Sequence, residues 1–143
     1  MTVYRIDQGM AAAAAKVLGA DGSKDAEVTR ELRTRYRQLR VMLHTAGLAA
    51  TYAFIASKAG DAGAGEKELA RAYRKVGEAI RERLSSLRLF PGDREPADVL
   101  AVMDAFGDMD PVVYARASAE TAAFVGWLSR LADAAWLERE ERA

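Results

Sequence analysis

Residues 110–134, DPVVYARASAETAAFVGWLSRLADA, decide the fold. Asp110 stands where an N-cap carboxylate accepts free amides of a first turn. Pro111 takes the first helical position, where a missing N–H costs nothing. Val113, Ala117, Thr121, Phe124, Leu128, Leu131 and Ala135 then recur at steps of three and four and form one apolar face. Trp127, at the edge of that face beside Phe124 and Leu128, reads as a core side chain rather than a base-stacking one. The stretch is a long core helix.

Working outward, the same period recurs and no strand pattern does. A first helix spans about residues 3–18 and stops near Gly19, a natural residue just past a helix end. Asp21-Gly22-Ser23 is a turn, and Ser23 or Asp25 caps a second helix over about residues 25–45, with Val28, Leu32, Tyr36, Leu39 and Leu43 inward. Gly47 follows, then a third helix with Leu48, Tyr52, Ile55 and Ala59. Residues 60–65 hold three glycines and read as a flexible loop. A fourth helix covers about residues 66–89, with Leu69, Tyr73, Val76, Ile80, Leu84 and Leu87 on one face. Residues 90–96 are turn-rich, a short fifth helix covers about residues 96–106, and residues 138–143 are expected to fray. The expected fold is all-α: one domain over residues 1–143, an antiparallel bundle of about six helices with short connections.

Composition bounds the function. The chain has 143 residues, half of them apolar, which suits a globular core. It has no cysteine, so disulfides, thiolate catalysis and thiolate-held metals are excluded. The N-terminus lacks a basic region followed by a sustained apolar run, and the tract at residues 11–15 is too short to span a membrane. A soluble cytoplasmic protein is expected. Net charge is zero, but residues 24–88 hold 14 Lys and Arg against 8 Asp and Glu, whereas residues 89–143 hold 5 against 11. These balances of +6 and −6 point to a polyanion partner, to head-to-tail association, or to two portions that neutralise each other within the fold.

The second helix carries the clearest binding pattern. At 100° per residue its apolar positions fall within about 80°, and Arg30, Arg33, Arg37 and Arg40 fall opposite them. Guanidinium forks suit regularly spaced phosphates, and such contacts ignore sequence. A merely solvated helix face is the competing reading. On the fourth helix Lys67, Arg71, Arg74 and Arg81 share the outward face, diluted by Glu78 and Glu82. A salt-bridged surface explains that face as well as RNA does.

Catalysis finds no set of groups. The lone His44 sits near a helix end, where it interacts with the helix terminus rather than acting as a base. There is no HExxH, no Glu-x-x-His and no second histidine, so a ferritin-like metal site lacks its ligands. The glycines of residues 60–65 lack the Lys-Ser/Thr ending of a phosphate loop. Asp104, Asp108 and Asp110 do not match an EF-hand. No catalytic residue, metal or cofactor is expected.

Three stretches carry a family resemblance. They are Tyr114, Glu120, Phe124, Trp127-Leu128, Arg130 and Ala132 of the last helix, residues 36–58 (YRQLRVMLHTAGLAATYAFIASK), and the alanine-rich first helix. Together they resemble the small-subunit family of the Cmr (type III-B) CRISPR effector complex, the fifth protein of that module. Two departures stand out. Ser129-Arg130 follows Trp127-Leu128 where the family often has Lys-Arg, and Arg40-Val41 stands where it often has proline, which implies an uninterrupted second helix. The resemblance implies a non-catalytic helical subunit of an antiviral ribonucleoprotein. Copies stack head to tail as a minor filament beside the backbone subunits, and their basic surface lines the channel for guide RNA and target RNA. On that basis the candidate RNA contacts are Arg30, Arg33, Arg37, Arg40, Lys58, Lys67, Arg71, Arg74, Arg81 and Arg130. Two other classes compete: a helix-turn-helix DNA-binding regulator built on the second and third helices, and a structural helical module without nucleic acid.

Overall fold

Asp110 caps as its position requires: its carboxylate accepts the amides of Val112 and Val113 at 3.0 and 3.1 Å. From there α6, Pro111–Arg142, runs as one helix of 32 residues, about 48 Å at 1.5 Å per residue. It stays helical through Arg142, where fraying was expected from Glu138. The computed structural model describes residues 3–20, 30–60 and 67–142. In chain order the other helices are α1 Val3–Ala15, α2 Arg30–Ala46, α3 Leu48–Ala59, α4 Lys67–Ser86 and α5 Val99–Asp108. No strand occurs among the described residues, and the fold is an all-α helical bundle. The proposed caps Ser23 and Asp25, the inward Val28 and the loop after Gly60 lie outside those residues.

Local chemistry sets most boundaries. α1 passes into a π-helical turn, Lys16–Ala20, in which Gly19 adopts φ 108°, so the expected stop stands. Gly47, at φ 95°, turns the chain between α2 and α3 with no side-chain cap of its own. The Tyr114 hydroxyl of α6 supplies the missing acceptor, taking the Ala49 amide at 3.0 Å.

Two boundaries differ from expectation. α4 ends at Ser86 rather than Leu89. Arg88 adopts the left-handed φ of 57°, and the amides of Leu89 and Arg88 return to the carbonyls of Leu84 (3.0 Å) and Ser85 (2.9 Å). This paired closure turns Leu89 and Phe90 into the core. α5 starts at Val99 because the Asp98 carboxylate accepts the Ala101 amide at 2.8 Å, two residues past Pro96.

Packing explains why α6 is buried on more than one face. It lies against α2 on one side and α1 on another, while α3 pairs with α4. Ala117, Thr121, Phe124 and Leu128 are buried as the period requires. Val125, Ser129 and Ala132 are buried as well, which a single stripe did not anticipate. Trp127 is only half-buried. At one end of the bundle Phe106 holds α5 in place. It meets Tyr52 and Tyr114 edge-on, both at 6.0 Å, and stacks with Phe90 at 6.2 Å.

Three phenols sit in this core with their ionisation opposed. Burial holds the Tyr36 hydroxyl well above the usual phenol range, and Tyr73 adds to the effect. Burial also raises Tyr52 and Tyr73, against the opposing charges and hydrogen bonds of Arg81 and Arg35. The folded chain therefore keeps these protons to higher pH than the unfolded chain does. Their contribution is complete below about pH 10 and is lost as pH rises beyond it. Denaturation midpoints should stay level through neutrality and fall in the alkaline range as tyrosinate absorbance grows. A midpoint that climbs there would contradict the burial of these groups.

Candidate nucleic-acid interface

Leu32, Tyr36 and Leu39 turn α2 inward, so Arg30, Arg33, Arg37 and Arg40 are presented on its outer side, as their spacing requires. The outer side is not open along its whole length. Arg33 Nε donates to Asp133 Oδ1 at 2.6 Å, and Arg37 Nη2 donates to the same oxygen at 3.0 Å. The Trp136 ring lies 6.0 Å from the guanidinium carbons of both Arg30 and Arg33. Asp133 and Trp136 are one turn apart on α6, so the C-terminal half of that helix partly covers Arg33 and flanks Arg30 and Arg37, which stay exposed.

Arg40 lies beyond this cover and is exposed. It borders a groove of about 630 Å³ with Leu43, His44, Gly47, Leu48, Tyr114 and Ser118. The groove joins the end of α2 to the start of α6, and Arg33 meets Asp133 near the opposite ends, so the two helices run antiparallel. His44 is exposed in the last turn of α2, at the groove rather than in the core. Arg130, exposed on α6, is one turn before Asp133.

The cations of α3 and α4 have other surroundings. Lys58 Nζ stands 5.7 Å from the Phe54 ring. Arg74 Nη2 donates to the Ala59 carbonyl at 3.3 Å, at the end of α3. Arg81 Nε donates to Glu95 at 3.2 Å and also bonds Tyr52. Arg71 is exposed, and the Lys67 side chain lies outside the described residues. The ten candidates thus divide into an α2–α6 group and an α3–α4 group, with Arg81 tied into an ion pair.

The opposite charge of the two portions is partly consumed within the chain. The pairs Arg33–Asp133, Arg37–Asp133, Arg81–Glu95 and Arg83–Glu120 each join residues 24–88 to residues 89–143. Asp98 and Asp110 are further engaged as helix caps. Sequence reading missed Asp133 and Trp136 as partners of the ridge. The available signal was a lone carboxylate in the otherwise apolar run Leu131-Ala132-Asp133-Ala134-Ala135-Trp136.

Among the described residues no helix is long and apolar enough to cross a membrane, and no group of three metal-ligating side chains gathers. The arrangement is that of a helical bundle with a guanidinium-lined face. The family described as CRISPR-associated protein (Cas_Cmr5) matches residues 6–135. The chain belongs to this family, the small subunit of the Cmr (type III-B) module, and so has a role in a Cmr complex. No curated protein and no solved structure matches the chain.

Proposed function

We propose that this chain is a non-catalytic small subunit of a Cmr ribonucleoprotein that contacts the backbone of guide and target RNA and stacks on copies of itself. The observation that carries the reading is the α2 ridge, with Arg40 exposed at the groove and Arg30 exposed at its far end. Contacts of this kind recognise phosphate spacing, and guide–target pairing supplies the sequence. The helix-turn-helix alternative is less well supported. Its recognition helix would be α3, whose sole basic residue is Lys58 and whose Leu48, Thr51, Tyr52 and Ile55 are buried.

Stacking rests on the opposite charge of the two portions and on the exposure of the groups that carry it. Asp104 and Asp108 are exposed on α5, close in sequence to Leu100 and Val112, which are 77% and 79% exposed. Arg71 and Arg74 of α4 offer the complementary sign on a neighbouring copy. A heterologous contact of this type extends into a filament, with charge setting register more than affinity.

The test is nuclease protection of guide and target RNA in a reconstituted Cmr complex carrying Arg30→Glu/Arg40→Glu. Glutamate at positions 33 and 37 would also face Asp133 and disturb the fold, so those sites are left intact. Loss of protection with unchanged helical content supports the reading. Unaltered protection places the RNA elsewhere.

A further inference from the structure

The Arg33–Arg37 pair is a built anion seat that already holds an anion of its own chain. Both guanidiniums converge on one carboxylate oxygen of Asp133, at 2.6 and 3.0 Å. The seat is half open: Arg37 is 53% exposed and Asp133 33% exposed. An ion pair of that exposure is stabilised only weakly, because water screens it. A phosphate offers more charge and more acceptor oxygens than a carboxylate. Asp133 is fixed on α6, so nothing has to be ordered for it to occupy the seat, and nothing has to unfold for it to yield.

We infer that Asp133 is an intramolecular competitor of RNA phosphate for Arg33 and Arg37, and thereby sets the affinity and salt sensitivity of the α2 ridge. This rests on the RNA reading above. In the resting chain Arg40 makes the first phosphate contact. Arg37, the more exposed of the paired guanidiniums, exchanges its carboxylate for the next phosphate. Arg33, at 24% exposed and against Trp136, follows or remains on Asp133.

The test measures binding of the full chain to a single-stranded oligouridylate across a salt series. Its variants are Asp133→Asn, Arg40→Glu and Glu68→Gln; the last gives the same gain of charge at an exposed site on α4. Each added phosphate contact steepens the slope of log affinity against log salt by about 0.7, roughly fivefold in affinity per decade of salt. Asp133→Asn should therefore steepen the slope by about 0.7–1.4 and tighten binding by roughly five- to twenty-five-fold at the low end of a decade of salt. Glu68→Gln should change neither appreciably. Asp133→Ser, which also removes the carboxylate, should steepen the slope and tighten binding in the same direction, and it keeps the test decisive if the asparagine variant folds poorly. If Arg40→Glu weakens binding while Asp133→Asn leaves or lowers it, Asp133 orients the arginines and the competitor role is wrong. If Arg40→Glu has no effect on RNA binding, the RNA reading falls and takes this inference with it.

Discussion

Phe124→Ala is expected to lower stability by about 3–5 kcal/mol, the range for removing a large aromatic from a packed interior. Phe124 is 1% exposed and is the largest of the fully buried side chains among the described residues. It lies on the helix that packs against both α1 and α2, so the cavity opens where the bundle's layers meet and has little room to collapse. For a chain of this size the melting temperature should fall by roughly 10–20 °C. Trp127→Ala is the internal comparison. Half-buried rather than enclosed, Trp127 should cost about half as much, by the smaller area withdrawn from water. Thermal and urea denaturation of the two variants checks the order. A larger loss at Trp127 than at Phe124 would reverse the burial pattern on which the fold rests.

Glu120→Ala has the second large effect, about 3 kcal/mol, for a different reason. Glu120 of α6 lies 3.7 Å from Arg83 of α4, and the two side chains are 17% and 16% exposed. Arg83 also lies where α1 approaches: a methyl group on Gly9 would come within 3.4 Å of Arg83 Nη1. Glu120 Oε2 and Arg83 Nε have no hydrogen bond in this seam. Removing the carboxylate takes a close countercharge from a mostly buried guanidinium, which is more costly than never having buried the pair. The double variant Arg83→Met/Glu120→Leu should therefore recover most of the loss. Equilibrium denaturation of the single and double variants decides it. A neutral single variant, or a double variant no better than the single, would mean that the pair is screened by water.

The two variants also separate what was legible in the sequence from what was not. Asp110-Pro111 and the period from Val113 to Leu131 are local signals, and the helix follows them. Gly47 marks the α2–α3 corner for the same reason, since its φ of 95° suits glycine. The end of α4 was not legible. Arg88 is left-handed because Leu89 and Phe90 are drawn into a core that other helices complete. The ridge shows the same division. Spacing of three and four places four arginines on one outer side of α2. That Asp133 holds two of them depends on a partner 96 and 100 residues onward and on the antiparallel pairing of α2 with α6. No local pattern encodes such a contact. The balances of residues 24–88 and 89–143 lead to the expectation that the two portions meet between neighbouring copies, and a charge count carries no information on contacts made inside the fold. Among the described residues, Arg33 and Arg37 with Asp133, Arg81 with Glu95 and Arg83 with Glu120 join them within the chain.

The most direct measurement of the central claim is the nuclease footprint of guide and target RNA in a reconstituted Cmr complex, wild type against Arg30→Glu/Arg40→Glu. The variant reverses the exposed guanidiniums at the two ends of the ridge and leaves the Asp133 pairing in place. The predicted result is a complex that assembles with the variant subunit retained but loses protection of the RNA along that subunit, more completely as salt rises. Full protection at every salt concentration, with the variant subunit present in the complex, would contradict the assignment of the α2 face to RNA.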